Sequence, residues 1–211
     1  MTQTRINDFN EILTGRRSIR QYDPSVKISK EEMTEMLEKA TLAPSSVNLQ
    51  PWRFVVIDSE EGKETLKPLA MFNKTQVETS SAVVAVFVDM QSLDYLEPIY
   101  NQAVEEGKMP ADVRDYQVPA IRGLIEQLTE RQYREMNLID AGLVSMQLML
   151  VAREYGYDTN PMGGYEKDKI ANALGLDENR YYPVMLLSMG KAADDGHASV
   201  RLPVDEITEW K

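Results

Sequence analysis

Within Arg16-Arg17-Ser18-Ile19-Arg20, three arginines and a serine fall in five residues of a chain whose net charge is −11. Guanidinium groups present planar forks of donors that match phosphate oxygens, and a serine hydroxyl can add one more bond. Arg16, Ser18 and Arg20 alternate, so a locally extended backbone would aim them to one side. A second use competes with this one. Basic residues just past a helix C-terminus also complement the helix dipole.

Three further stretches carry polar side chains or bare backbone in places that could meet a ligand. APSSVNLQPW, residues 43–52, holds Pro44, Ser45, Ser46 and Asn48 between two prolines. Its hydroxyls and amides mix donors with acceptors. A flavin ring asks for that mixture, because its pyrimidine edge alternates carbonyl acceptors with an N–H donor. A helix-to-strand turn asks for the same residue types. Asn73 and Gln76 lie three apart, on one face of a helical turn or at a solvated helix end. In NPMGGY, Pro161 and Met162 precede Gly163 and Gly164, and paired glycines allow close backbone approach to a flat ligand. The same residues also suit a plain loop.

Other routes to chemistry have little material. There is no cysteine and a single histidine, His197, in a charged tail. Disulfides, thiolate catalysis and Cys-type zinc sites are excluded, and Ser-His or Cys-His systems are poorly supplied. No G-x-G-x-x-G follows a strand and no Walker pattern occurs, so neither dinucleotide nor P-loop binding is signalled. No metal site is expected. The twelve methionines sit mostly at core spacing. Asp140, expected at the head of a buried helix, is the one acid that stands out.

The elements that must position these residues follow from periodicity. Phe9, Ile12 and Leu13 give a short helix ending near Gly15. Ser29 and Glu32 form a capping-box pattern ahead of Met33, Met36, Leu37 and Ala40. WRFVVI (52–57), AVVAVFV (82–88) and PVMLLSM (183–189) read as strands, among four or five in all. Helices are expected near 60–70, 93–106, 120–131, 132–155 and 167–174, with a polar break marked by Pro110 and Pro119. AGLVSMQLMLVA (141–152) is apolar on nearly every face, which fits either a central helix or a subunit interface.

The length of 211 residues suits one domain, and Asp plus Glu outnumber Lys plus Arg by 34 to 23. A negative protein repels nucleic acid and anionic membrane surfaces, so neither is expected as a partner. The N-terminal sequence has no apolar signal region, and no apolar run reaches the ~18 residues that span a bilayer. The expectation is a cytoplasmic protein.

These four stretches, in this order, resemble the nitroreductase family of FMN-dependent oxidoreductases, from about residue 10 to 202. The resemblance implies one domain over residues 1–211 and an α+β sandwich around a mainly antiparallel sheet. It also implies an intertwined homodimer with two FMN sites at the interface. Arg16, Arg17, Ser18, Arg20 and Arg201 would hold the phosphate and ribityl region. Pro44, Ser45, Ser46 and Asn48 would come from the partner subunit. Asn73 and Gln76 would address the ring's polar edge or ribityl hydroxyls. Pro161, Met162, Gly163 and Gly164 would lie along the ring, with backbone N–H near N5. Some members have Glu where this chain has Gly163, and some have Lys where it has Ser199. The implied reaction passes hydride from NAD(P)H through the flavin to a nitroaromatic, quinone or similar acceptor by a ping-pong mechanism, with no side chain as general acid or base. Narrower readings are reductive dehalogenation or flavin fragmentation, favoured by a lid at 95–130, or a non-enzymatic flavin carrier or sensor.

Overall fold

The computed structural model describes residues 5–211. In chain order it contains α1 (Phe9–Gly15), α2 (Lys30–Ala40), β1 (Trp52–Ile57), α3 (Glu60–Leu66), α4 (Lys74–Thr79), β2 (Ala82–Asp89), α5 (Leu96–Glu105), α6 (Ala111–Ile125), α7 (Glu130–Glu154), β3 (Asp158–Met162), α8 (Lys167–Ala173) and β4 (Tyr181–Gly190). Short 3-10 turns fill several junctions. The capping box at Ser29 and Glu32 forms as expected, and Thr129 and Gln132 make a second one at the start of α7.

The four strands form one antiparallel sheet in the order β1-β2-β4-β3. β2 is buried along its whole length, and its alternation divides the core. Ala82, Val84, Val86 and Val88 face α2 and α7, with Leu187 and Met189 of β4. Val83, Ala85 and Phe87 face the other layer, with Leu66, Val77 and Ile170. The result is the expected α+β sandwich. A bulge lies between Val86 and Phe87, where their β4 partners jump from Met185 to Pro183. That is where a strand can carry a residue without an N–H. A third cluster joins α5 and α6 to the main body through Leu96, Tyr100, Ile125, Tyr133 and Leu49.

Several expectations need correction. NPMGG is not all loop, because Asn160, Pro161 and Met162 pair with Ser188, Leu187 and Leu186 of β4. The polar stretch between Pro110 and Pro119 is helix. Pro119 sits inside α6, and the carbonyl that its ring releases belongs to exposed Asp115, where water can satisfy it. α7 begins at Glu130, so Asp140 lies mid-helix. Nor is α7 buried on every face. Ala141, Val144 and Leu148 pack on the sheet, whereas Ile139 (67% exposed), Leu143 (43%) and Met146 (37%) form an exposed apolar ridge. By length and composition α7 could cross a bilayer, yet its buried face is committed to the sheet.

Candidate cofactor site

The arginine segment leaves α1 and runs beside β3. Ile19 is buried, and its N–H donates to Thr159 O at 3.1 Å, while Ser18 bridges Thr159. Tyr22 anchors the far end, its hydroxyl 2.9 Å from Ser188 Oγ. With Ile19 turned inward, Ser18 and Arg20 face outward, as the alternation predicts. Gly15 precedes this run because a Cβ there would sit 2.9 Å from Arg153 Nη2, and Arg153 is bonded to Asp158 at 2.6 Å. The helix-end use of the arginines is seen at Arg17. Arg17 donates to the carbonyls of Thr14 (2.8 Å) and Arg16 (3.1 Å), serving the end of α1. Arg20 has no acidic partner among the described residues and lines a cavity of about 520 Å³.

That cavity collects Arg20 with Asn73, Gln76, Pro161, Met162, Gly163 and Gly164. Asn73 ends a 3-10 turn and Gln76 lies in α4, where it is buried rather than solvated. Gln76 Nε2 donates to Asn73 Oδ1 at 3.0 Å, and Asn73 Nδ2 donates to Gly164 O at 2.9 Å. A Cβ on Gly163 would meet no atom within 4 Å. The Met162 side chain is 2% exposed and belongs to the core beneath the cavity. The site thus offers a cation, two amides and bare glycine backbone, which fits a flat, polar-edged ligand carrying a phosphate.

Sequence reasoning missed Phe72, Thr75, Asn160 and Asp194, which also line the cavity. Asn160 had a signal, since it adjoins the Pro-Met-Gly-Gly run. Asp194 had none, because an Asp-Asp pair before a glycine looks like solvated surface.

Other expected residues lie elsewhere in the protomer. Arg16 and Ser18 flank the cavity's arginine segment without lining it. Arg201 is exposed and donates to Ser199 Oγ and Val200 O within its own segment. Pro44, Ser45, Ser46 and Asn48 are outside the cavity. Their loop is strained, with φ of 45° at Val47, 56° at Asn48 and 49° at Gln50. It is tied to α7 through Asp140, whose two carboxylate oxygens each lie 3.0 Å from Ser46 N. Burial lifts the Asp140 carboxyl above its usual range, and the Ser46 donors pull it back only in part.

Residues 13–191 match the sequence profile of the nitroreductase family. The chain belongs to the nitroreductase family. Among relatives, YdgI of Bacillus subtilis, which carries the name NAD(P)H nitroreductase, is 68% identical over 205 residues, covering 97% of this chain and 98% of that one. A nitroreductase from Exiguobacterium sibiricum solved in complex with FMN is 66% identical, with a TM-score of 0.98 and full coverage of both chains. The CLA biosynthesis enone reductase of Lactiplantibacillus plantarum is 40% identical, covering 97% of this chain and 94% of that one. This nitroreductase thus shares sequence and fold with proteins named for redox chemistry.

Proposed function

We propose that this nitroreductase is an FMN-dependent oxidoreductase using NAD(P)H. The observation that carries the reading is the cavity where Arg20, the Asn73–Gln76 amide pair and the Gly163–Gly164 backbone converge. Bound there, FMN would supply the hydride chemistry between NAD(P)H and a nitroaromatic, quinone or similar acceptor. Arg20, with Arg16 and Ser18 beside it, holds the phosphate, and Arg201, exposed on its own segment, is a further candidate for it. Asn73 orients the glycine pair, and Gln76 presents its amide to the polar parts of the flavin. No side chain is assigned as general acid or base. Donor and acceptor use one open face in turn, so no separate nicotinamide motif is needed.

The functional unit in this reading is a homodimer, and the location is the cytoplasm. Two features support a second copy. Ile139, Leu143 and Met146 leave an apolar ridge on α7, and Pro44, Ser45, Ser46 and Asn48 lie away from the cavity of their own chain. A partner would cover the first and bring the second to its flavin. The 40% identity with an enone reductase favours one addition to the acceptor panel, an α,β-unsaturated ketone.

The test is anaerobic reduction of the FMN-loaded protein by NADH and by NADPH, then reoxidation by a nitroaromatic, a quinone and an enone. Bleaching of the flavin by a nicotinamide and recovery with an acceptor is expected. A flavin that neither nicotinamide reduces would leave a carrier or sensor as the reading.

A further inference from the structure

Asp140 is 2% exposed and sits in the middle of α7 without an ion-pair partner among the described residues. Its one hydrogen-bond partner there is Ser46, through the main-chain N–H at 3.0 Å to each oxygen and through Oγ at 3.2 Å. A buried carboxylate without a cation is costly to the fold, and an apolar residue of similar size packs more favourably. Its benefit must therefore lie in what it holds. That object is a turn with three non-glycine residues, Val47, Asn48 and Gln50, in the left-handed region. For a β-branched residue such as Val47 this conformation is a true outlier, and it persists only where surrounding bonds impose it.

Besides the turn's own main-chain bonds, Asn48 N–H to Ser45 O and Leu49 N–H to Ser46 O, side-chain contacts impose it. Asp140 grips Ser46 from α7, Ser45 Oγ accepts the Gln50 N–H at 3.1 Å, and the Tyr100 hydroxyl of α5 donates to Val47 O at 3.3 Å. Leu49, 1% exposed, is packed among Leu96, Tyr100 and Ile125. The turn is thus clamped between α7 and the α5–α6 pair. Asp140 supplies the carboxylate and acts where the left-handed run begins, while the Arg53 guanidinium donates to Gln50 O at 3.1 Å where it ends.

We propose that Asp140 is a positioning residue for the flavin: by fixing the Ser46 main chain it sets the strained turn that aims Ser45 and Asn48 at the flavin of the second subunit. The proposal rests on the FMN reading above. A residue serving only the fold would lower stability when replaced and leave flavin affinity of the folded protein unchanged. Asp140 is expected to do the reverse.

The experiment titrates FMN and riboflavin into flavin-free wild type, Asp140→Asn and Asp140→Ala, with thermal melts of each flavin-free protein. Asp140→Asn keeps the shape and one acceptor, so the test survives if Asp140→Ala does not fold. Asp140→Asn is expected to bind both flavins about tenfold more weakly, through loss of charge-assisted bonds. Removing the buried unpaired charge offsets those bonds in the flavin-free fold, so its melt should lie no more than ~2 °C below wild type. Equal loss for both flavins separates a role at the ring and ribityl chain from one at the phosphate. Unchanged affinity in Asp140→Asn beside normal wild-type binding overturns this proposal alone, as does a melt that falls in step with affinity. A wild type that takes up no flavin overturns the FMN reading and this proposal with it.

Discussion

Asn73 Nδ2 donates to the main-chain carbonyl of Gly164 at 2.9 Å, across 91 residues of sequence, and so ties the start of α4 to the glycine pair after β3. Gln76 in turn holds Asn73 Oδ1. A backbone with no side chains of its own is oriented by two amides from another element. This suits a surface that must stay bare yet fixed.

Removing that brace should loosen the cofactor. Asn73→Ala forfeits roughly 1 kcal/mol of hydrogen bonding, or about fivefold in FMN affinity. Gly163→Ala asks a different question, because its Cβ meets open space in the protein. The flavin-free variant should melt like wild type, yet bind FMN more weakly because the methyl occupies the flavin's approach. Fluorescence titration with parallel melts checks both.

Arg20→Ala should remove one or two charge-assisted bonds, at roughly 1.5–3 kcal/mol, and weaken FMN about 10- to 150-fold. Riboflavin has no phosphate and should bind wild type and variant alike. Arg17→Ala provides the contrast, because its guanidinium already serves Thr14 O and Arg16 O. It should lower the melt modestly and affect the two flavins equally. Equal losses for FMN and riboflavin in Arg20→Ala would reject its phosphate role.

The α7 ridge gives an assembly test. Leu143→Glu places a charge on an exposed apolar position and should yield a folded monomer with little flavin, by light scattering and absorbance. Leu148→Glu is a fold test instead, because Leu148 is fully buried within its own protomer. An unpaired charge there costs several kcal/mol, and that variant should not fold. A dimeric, flavin-loaded Leu143→Glu protein would contradict the ridge's role.

Acid stability should report Asp89. Burial pushes its carboxyl upward, but the bidentate Arg180 pair at 2.8 and 2.9 Å, the Gln91 N–H and nearby Arg53 outweigh this and hold it below the usual range. A carboxyl lowered by folding contributes stability above its unfolded pKa of about 3.9, and loses it as pH falls through the lower folded value. Asp89→Asn leaves Arg180 without its charge partner and should cost about 3 kcal/mol near neutral pH. Melts should show a constant deficit from pH 5 to 8, shrinking below about pH 4.

The fold was readable wherever burial enforces a period. β2 follows from its unbroken apolar run, and α2 from the spacing of Met33, Met36 and Ala40. Pro119 misled because a local rule about proline gives way when the released carbonyl is in water. Asn160–Met162 misled because the glycines that follow directly hide an edge strand. For the site, residue types pointed to Arg20, Asn73, Gln76 and the glycines. Phe72 and Asp194 were invisible because only tertiary packing brings a 3-10 turn and the C-terminal segment to one cavity. The apolar length of α7 was plain in the sequence, but the side it leaves exposed depends on which strands it covers.

The strand order carries a consequence for synthesis. β2 lies at the sheet's centre, yet its second neighbour is β4, with Ala82 opposite Met189. On the ribosome, the most hydrophobic strand must therefore emerge and wait while about a hundred further residues are made. Throughout that interval one of its edges is unpaired, and an unpaired apolar edge is a template for joining another chain. α7 emerges first and can cover one face, but no helix can supply the missing ladder. Slow translation before Tyr181, or truncation there, should lead to aggregation rather than to a smaller folded protein.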